Sequence, residues 1–299
     1  MQKNKKGISD KQKQAFTAYV FILPTIVVFT VFVIIPLIDS ISVSFFNWSF
    51  YLYSDFVGFD NYIRLLRNNR FWASLLVAFR FLAIILPCQL ILSFLLAHVI
   101  KNIFGRFASF VKTSIFMPYI IAGVTASLLF SFIYNFQGGL LNSVLVSFGF
   151  DRVAWLANPG IVMFSVALPV IWISLGYSTL LMLAGLNDIP QVYFEIASID
   201  GANFLRRIWH VTLPQMKNLF VFMIITNVTA VLQLFDVPMM LTEGGPMDLT
   251  NTPILFIYQR FMRDPNLNFS IAASLLIFIL LGSISALIFR TINSEKMSY

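Results

Sequence analysis

The sequence predicts an all-α integral membrane protein with six transmembrane helices, on the basis of its composition, its uncharged stretches and its basic residues. Hydrophobic residues make up 59% of the 299 residues and charged residues only 11%. The mean hydropathy of +0.84 is well outside the range of soluble domains. Because a transmembrane helix needs about 20 predominantly apolar residues, the uncharged stretches indicate the number of spans.

Six stretches of the sequence are long and apolar enough to span a bilayer. The first follows a lysine-rich N-terminus, and the second is interrupted by a single charge, Arg80. Proline and glycine occur inside several stretches, which transmembrane helices tolerate when neighbours satisfy the freed backbone groups. The first two expected spans cover residues 18–38 and 72–100, and the next two lie within residues 112–151 and 152–188. The last two lie between residues 217 and 236 and between residues 264 and 290.

The basic residues predict which side of the membrane each loop faces. If the chain crosses six times, the side that holds both termini carries thirteen Lys and Arg residues and the other side carries six. Cytoplasmic loops carry the excess of positive charge. We therefore expect a cytoplasmic basic N-terminus at residues 1–17, a six-helix domain at residues 18–290 and a cytoplasmic tail at residues 291–299, in the inner, or cytoplasmic, cell membrane.

The sequence lacks the residues that several classes of protein require. With one cysteine, Cys88, and two histidines, the sequence has no Cys/His cluster for a structural metal site. It shows no Ser/His/Asp, paired-carboxylate or HExxH arrangement of an enzyme, and no Gly-x4-Gly-Lys-Ser/Thr loop for ATP hydrolysis. The net charge of +7 is accounted for by the excess of Lys and Arg on the cytoplasmic side of the membrane. Membrane lipid is therefore an expected partner and nucleic acid is not.

Two cytoplasmic segments are expected between the spans. Residues 101–112 form a short basic connection, and residues 186–216 form a longer segment, here called the elbow. In the elbow, a first helix is expected from residue 191 to 199, where Asp200 and Gly201 stop it. A second helix begins at Asn203, a good N-cap residue, and ends before Pro214.

The second helix of the elbow is amphipathic. Phe204, Ile208 and Val211 fall on one face. Arg206 and His210 fall roughly opposite. By helix physics alone, such an elbow could simply be an interfacial anchor that holds the bundle at the membrane surface.

The elbow resembles the EAA motif of ABC-importer permeases. The motif runs from Glu195 through Ala202 and continues with Val211-Thr212-Leu213-Pro214, with Ile196 and Val211 as conservative departures. The resemblance extends over nearly the whole chain, to the carbohydrate-uptake branch and a permease similar to the larger maltose-transporter permease without its extra helices and outer domain. Further matching segments are Pro24, Phe56-Val57-Gly58-Phe59-Asp60-Asn61-Tyr62, Leu183-Ala184-Gly185-Leu186, Ile189-Pro190, Phe235-Asp236, Leu241-Thr242 and Gly244-Gly245-Pro246.

This resemblance implies a type I ABC importer permease fold and a set of partners. Two related, non-identical permeases surround one path, an extracytoplasmic sugar-binding protein delivers the sugar, and each elbow docks on one of two ATPase subunits. ATP and magnesium belong to those ATPase subunits, and no cofactor is expected on this chain. The implied ATPase-coupling residues are Glu195, Ala197, Ser198, Asp200, Gly201, Ala202, Phe204 and Ile208.

Polar residues concentrate on the fifth predicted span. On an ideal helix, Thr226, Thr229, Gln233 and Asp236 fall within roughly an 80-degree arc, and Asn227 lies on the neighbouring face. Polar groups in membrane helices usually face a bundle interior or a water-lined path. The alternative is that these groups only tie neighbouring helices together.

The resemblance also implies a substrate path between the fourth and fifth spans. Of the positions carried over, only Tyr177 keeps the residue type of the maltose-type relative, so the expected site has a different shape. Aromatic faces such as those of Tyr177 and Trp172 suit the apolar faces of sugar rings, and Asn and Ser supply hydrogen bonds. The implied path residues are Ser174, Tyr177, Asn227, Ala230, Val231 and Leu234.

A gradient-driven secondary transporter or channel for a small polar solute is the main alternative function. Ion coupling normally requires carboxylates inside the membrane, and only Asp236, expected at the outer end of its helix, meets that condition. Arg80 is expected to snorkel to the outer interface, with a role in gating or in binding an acidic sugar as the alternative. His98 is expected at the interface and Cys88 as a small apolar filler.

Overall fold

The structure, a computed structural model, describes residues 10–49, 52–263 and 267–292. Most of these residues are helical, as expected for a chain whose backbone groups must be paired without water. Of the expected basic N-terminus, residues 1–9 lie outside the described part, whereas residues 10–17 already belong to the first helix. Of the expected tail, residues 293–299 lie outside it.

Within the described residues, five helical segments are long and apolar enough to cross a membrane, and a bent pair adds a sixth when counted as one span. The predicted all-α membrane fold is therefore confirmed, with a bend in the third span. The five segments are Thr17–Val43, Asn69–Lys101, Val162–Asp188, Lys217–Thr242 and Asn268–Arg290, and the pair is Gly105–Ile120 with Gly123–Ile133.

The elements are numbered in chain order. The first half of the chain comprises α1 (Asp10–Phe29), α2 (Ile35–Val43), β1 (Phe46–Ser49), β2 (Leu52–Phe56), α3 (Asp60–Leu66), α4 (Asn69–Lys101), α5 (Gly105–Ile120), α6 (Gly123–Ile133) and α7 (Leu140–Ser147). The second half comprises α8 (Val162–Asp188), α9 (Gln191–Ile199), α10 (Phe204–Arg207), α11 (Leu213–Gln215), α12 (Lys217–Leu232), α13 (Asp236–Thr242), α14 (Pro253–Arg263) and α15 (Asn268–Ile292).

The third span differs from its prediction at its start and in its middle. The expected basic connection at residues 101–112 is wrong, because α5 begins at Gly105 and only residues 102–104 separate it from α4. The span then bends by 98° between α5 and α6, where Ile121 and Ala122 have extended backbone. Pro118 lies in the last turn of α5 and removes a backbone donor there, which favours the break.

The first span packs little against the rest of the chain. Its α1 continues through a π-helical turn, Thr30–Ile34, into α2. The turn precedes Pro36, which lacks a backbone N–H and therefore favours an irregular turn on its N-terminal side. No residue in the apolar window of this span is buried within the chain. The span therefore presents its apolar surface to lipid or to another chain.

A short hairpin and α3 follow the first span. The strands β1 and β2 pair antiparallel, which the all-α prediction did not include. The buried Asn61 donates its amide to the carbonyl oxygens of Ser44 and Phe46, at 2.9 and 3.1 Å. The Tyr62 hydroxyl lies 2.7 Å from the Ser44 hydroxyl. These bonds fix the hairpin against α3.

The centre of the bundle is formed by α4 and α8. One apolar cluster joins them to α6, α12 and α13 and includes Phe81 and Val166. A second cluster joins α3, α4, α12, α14 and α15 and includes Phe71 and Leu232. A third lies at the elbow end of the bundle around Met182. The two long central helices thus position the polar groups that the next section describes.

The close approach of α5 and α8 yields a test of this packing. A Cβ atom on Gly176 would lie 2.0 Å from the Ile115 carbonyl oxygen, so we expect Gly176→Ala to destabilise the fold by about 1–3 kcal/mol. A Cβ atom on Gly282 would meet no neighbouring group within 4 Å, so Gly282→Ala should be neutral or slightly stabilising. Thermal unfolding of the purified protein measures both, and equal effects would contradict the packing.

Candidate functional site

Two adjoining cavities lie between α8 and α12. The distal cavity, farther from the elbow, has a volume of about 320 Å³ and reaches α13. The proximal cavity, nearer the elbow, has a volume of about 260 Å³. Ser174, Asn227 and Ala230 line both. The two cavities therefore form one series of spaces along the facing sides of the fourth and fifth spans.

All six implied path residues line these cavities. In addition to the three shared residues, Val231 and Leu234 line the distal cavity, and Tyr177 lines the proximal cavity. The Asn227 amide donates to the Met223 carbonyl oxygen at 2.8 Å, which leaves its own carbonyl oxygen free to accept a bond. The structure thus brings the six residues together, and their role as substrate contacts remains a prediction.

Gln89 of α4 is a polar residue that the sequence interpretation did not single out. Its side chain is fully buried. Its Nε2 donates to the Ser178 hydroxyl at 2.7 Å. Its Oε1 lies 3.1 Å from the Ser174 hydroxyl, which is also 2.8 Å from the Val170 carbonyl oxygen of its own helix. Gln89 therefore contacts Ser174 at the wall of both cavities. An uncharged amide two residues after Pro87, in the middle of a span, was the signal that could have indicated it.

An aromatic pair forms part of the proximal cavity. The rings of Tyr119 and Tyr177 are stacked, with centroids 4.9 Å apart and an angle of 15° between their planes. Tyr119 lies near the end of α5 and was also missed from the sequence. Trp172, the other aromatic residue considered, packs against Phe130 in the apolar core instead. The aromatic side chains that line the cavities are thus the two tyrosines of the proximal cavity and Phe235 of the distal one.

The predicted polar stripe of the fifth span is interrupted. The helix α12 ends at Leu232, and α13 begins only at Asp236, so the ideal-helix arc is wrong beyond that break. Thr226 and Thr229 donate their hydroxyls to carbonyl oxygens of their own helix, each at 2.9 Å. Thr226 lines the proximal cavity, whereas Gln233 and Asp236 line the distal one. Unwinding, and not helical periodicity, brings the last two to the cavity.

The breaks in the third and fifth spans meet beside the distal cavity. A Cβ atom on Gly123, the first residue of α6, would lie 2.9 Å from Oδ2 of Asp236. Asp236 is the first residue of α13, which continues to Thr242. Asp236 therefore does not lie at the outer end of the fifth span, where it was predicted. Its carboxylate stands close to the N-terminus of α6, where a negative charge is favourable. Among the described residues that line the two cavities, Asp236 is the one acidic side chain, and none is Lys, Arg or His.

The elbow begins with the two features that the sequence predicts. The first helix, α9, spans Gln191–Ile199 as expected. Gly201 has a φ of +72°, a conformation that glycine adopts readily, and the Ala202 N–H donates to the Ala197 carbonyl oxygen at 2.8 Å. The Asn203 side chain accepts a bond from the Arg206 N–H at 2.9 Å. Asn203 is therefore the predicted N-cap of α10.

The second part of the elbow is longer than predicted. The helix does not end before Pro214, because α10 continues through a π-helical turn, Ile208–Thr212, into α11. Pro214 lies in the first turn of α11, where its missing N–H is not needed. Only Met216 separates α11 from α12, so the elbow passes almost without interruption into the fifth span. A displacement of the elbow would therefore act directly on the helix that lines both cavities.

A comparison with known proteins decides the family. The family model described as binding-protein-dependent transport system inner membrane component matches residues 3–299. The chain belongs to this family. It is therefore a membrane component of a transport system and not an enzyme.

Individual relatives cover nearly the whole permease. The probable ABC transporter permease protein YurN of Bacillus subtilis is 29% identical over 93% of this chain and 96% of its own length. The trehalose/maltose transport system permease protein MalF of Thermococcus litoralis is 32% identical over 91% of this chain and 92% of its own length. The same fold is found in a chain of a bacterial ABC transporter involved in the import of the acidic polysaccharide alginate, with a TM-score of 0.83 and 21% identity. The match covers 95% of this chain and 97% of that one.

The implied coupling residues lie on the accessible surface of the permease's elbow. Glu195, Ser198, Asp200, Gly201 and Phe204 are exposed, and Ala197, Ala202 and Ile208 are half-buried. Phe204 is 61% exposed and the neighbouring Ile199, which was not selected from the sequence, is 86% exposed. The elbow thus presents large apolar side chains beside carboxylates.

Three isolated residues were also assigned from the sequence. Cys88 is exposed on α4, so its prediction as an apolar filler is wrong. Arg80 is exposed on the same helix. His98 is half-buried, with Nδ1 3.0 Å from the Phe94 carbonyl oxygen. Across the part of the chain that the structure describes, no group of three or more His, Cys, Asp or Glu residues could hold a metal ion.

The position of Gln89 leads to a prediction about transport. Gln89→Leu removes both polar contacts with α8, so Ser174 loses its contact with α4 and keeps only its bond within α8. We expect the substrate concentration for half-maximal uptake to rise about fivefold, since one hydrogen bond contributes about 1 kcal/mol. Uptake into proteoliposomes, normalised to assembled complex, measures the change.

The matched control is Ser93→Ala on the same helix. Ser93 is fully buried and donates to the Leu90 carbonyl oxygen at 3.2 Å, away from both cavities. Its replacement should leave the concentration dependence unchanged. Equal effects of the two substitutions, or none from Gln89→Leu, would contradict the role of Gln89.

Proposed function

We propose that this chain is a permease subunit of an ATP-driven, binding-protein-dependent sugar importer. The observation that carries the proposal is the lining of the two cavities by hydroxyl, amide and aromatic groups on facing spans. The family membership and the names of relatives, which include trehalose/maltose and lactose transport permeases, support the same substrate class. ATP hydrolysis then belongs to separate subunits.

The chemistry of the cavities suits a sugar. The Ser174 hydroxyl and the Asn227 amide can exchange hydrogen bonds with sugar hydroxyls, and Asp236 can accept them. The Tyr119–Tyr177 pair offers an aromatic face to the apolar face of a ring. The wall also carries apolar side chains, among them Ala230 and Val231. Such a mixed lining orients a sugar and still lets it leave.

We further propose that a second, non-identical permease completes the path. The polar groups of Asn227, Gln233 and Asp236 would otherwise face lipid, where an unpaired polar group costs several kcal/mol. The crystal structure of a bacterial alginate ABC transporter contains an alginate-bound periplasmic protein. By analogy, an extracytoplasmic sugar-binding protein delivers the substrate to this pair.

The elbow is proposed to dock on an ATPase subunit, one of two that hold ATP and magnesium. Glu195 is exposed and can accept a charge-assisted hydrogen bond from a basic residue. Phe204 and Ile199 supply apolar contacts beside it. This assignment places the elbow and both termini in the cytoplasm. The residues that we assign to coupling are Glu195, Ala197, Ser198, Asp200, Gly201, Ala202, Phe204 and Ile208.

The alternative of a gradient-driven carrier or channel requires ion-coupling groups along the path. In the described cavities, Asp236 is the one carboxylate, and it stands beside Gly123 at a helix N-terminus. A purified system that transports sugar only with ATP separates the two functions. Uptake that follows an ion gradient without ATP would favour the carrier.

The cavity lining predicts the effect of removing a sugar contact. Asn227→Ala and Tyr177→Ala should each weaken sugar-stimulated transport, by about five- to tenfold for the loss of a hydrogen bond or an aromatic contact. Complex assembly should persist, because both side chains border a cavity. Uptake and the amount of copurified complex measure the two properties; a complex that is less abundant but keeps its substrate profile would contradict the contact role.

The elbow predicts an uncoupling substitution. Gly201→Asp places a Cβ at a φ of +72°, which L residues resist, so we expect it to distort the turn and to reduce ATPase retention or sugar-stimulated hydrolysis. Glu195→Ala should weaken the same docking contact. A pull-down with an ATPase assay on the reconstituted complex measures both.

Gly149→Asp is the matched control. Gly149 has a φ of +80° and open space around it, as Gly201 has, but it follows α7 and is not part of the elbow. The control should keep wild-type ATPase retention. If Gly201→Asp and Glu195→Ala also keep it, the elbow is only an interfacial anchor.

A further inference from the structure

A third cavity lies between the elbow and the ends of α4 and α8. Its volume is about 180 Å³, below the range of about 300–1,000 Å³ in which small-molecule sites usually fall. Lys101, Arg207 and His98 contribute to its lining, together with Phe194 and Phe204, and no Asp or Glu does. The cavity is smaller than either cavity of the proposed path, and its polar character is basic.

Lys101 is held in place at the wall of this cavity. Its Nζ donates to the Leu186 carbonyl oxygen at 2.9 Å and lies 5.3 Å from the centre of the Phe194 ring. An ammonium group has three donors. The bond to Leu186 therefore fixes the charge and leaves donors for a ligand.

Arg207 supplies a buried donor without a protein partner. Its Nε is inaccessible to solvent and makes no hydrogen bond within the described part of the chain. Within the described residues, neither Arg207 nor Lys101 forms an ion pair with a carboxylate. A buried donor without an acceptor destabilises the folded state. A bound acceptor in the cavity would remove that penalty.

His98 completes the basic wall. Its ring is held by the contact of Nδ1 with the Phe94 carbonyl oxygen at 3.0 Å and lies edge-on to Phe204 at 6.2 Å. With Nδ1 donating to that carbonyl, Nε2 of the neutral ring is an acceptor, so the donors for an anion come from Lys101 and Arg207. Three basic side chains from α4 and the elbow thus converge on a space that no carboxylate of the described chain lines.

We propose that this cavity binds a phosphate group, supplied by the headgroup of an anionic phospholipid. Arginine and lysine are the usual partners of phosphate oxygens, and basic pockets between the cytoplasmic ends of membrane helices bind anionic headgroups. Lys101 is the last residue of α4, and the exposed Trp209 and Phe104 nearby are typical of a membrane interface. The inference rests only on the proposed cytoplasmic position of the elbow.

The bound phosphate has a structural consequence. It would connect α4, which holds Gln89 and the central packing, with the elbow that continues into α12. While the headgroup is bound, the elbow and the end of α4 would move as one unit. Anionic lipid would therefore stabilise the connection between the elbow and the spans.

The test uses the assembled transporter, purified through a tag on this chain. Thermal unfolding is measured in detergent with phosphatidylglycerol, with phosphatidylcholine of the same acyl chains, or with inorganic phosphate, and retained lipid is quantified by mass spectrometry. We expect phosphatidylglycerol, but not phosphatidylcholine, to raise the unfolding midpoint. Arg207→Gln should retain about fivefold less phosphatidylglycerol, as for the loss of one cation near a headgroup.

Arg206→Gln is the matched control, because Arg206 is the adjacent, exposed arginine and does not line the cavity. It should retain wild-type lipid, and Arg207→Lys should retain more than Arg207→Gln. If Arg207→Gln fails to assemble, Lys101→Met takes its place. This variant should then retain less phosphatidylglycerol than the wild type, whereas its retention of phosphatidylcholine should not change. Stabilisation by inorganic phosphate alone, lost in Arg207→Gln, supports the phosphate site and assigns it to the free anion.

Two outcomes overturn the proposal. The first is equal retention of both lipids with no response to phosphate. The second is loss of the ATPase subunits from Arg207→Gln with unchanged lipid, which would show that a carboxylate of a partner chain fills the cavity. ATP-driven sugar uptake in phosphatidylcholine vesicles is measured in parallel, so a failed lipid site and a failed transport function are distinguishable.

Discussion

The pairing of one buried amide inside the membrane organises the centre of this protein. Gln89 is fully buried in α4, where an amide without partners would cost several kcal/mol. It is paired on both sides, with Ser178 and Ser174 of α8. The two contacts join α8 to α4 at the level of the cavities. Ser174 lines both cavities, and Tyr177, less than one turn away, stacks on Tyr119.

The second determinant is the pair of helix breaks. Irregular backbone at membrane depth is tolerated where it is buried in protein or lines a cavity. Here the bend between α5 and α6 and the gap between α12 and α13 lie together, with Gly123 against Asp236. The breaks bring Gln233 and Asp236 to the distal cavity. Since the elbow continues into α12, motion of the elbow and the shape of the cavity are mechanically linked.

The sequence predicted the features that depend on local chemistry. Uncharged length located the spans, and Gly201 and Asn203 located the turn of the elbow. It did not predict the 98° bend, because an uncharged stretch gives length and not direction, nor the continuation of the helix past Pro214, which a first-turn proline permits. The partners of Gln89 lie 85 and 89 residues away, beyond any local pattern. The six path residues came from the family resemblance, and their contact with sugar is still a prediction.

The central claim is that the two cavities form the translocation path, and cysteine accessibility tests it most directly. Cys88 is the single cysteine, so Cys88→Ser provides a background for Ala230→Cys, which lines both cavities, and Thr229→Cys, which lines neither. In the reconstituted transporter, a water-soluble thiol reagent should label position 230, and transported sugar should slow that labelling, whereas position 229 should react slowly and without a sugar effect. Equal labelling at the two positions, or labelling of position 230 that sugar does not change, would contradict the account.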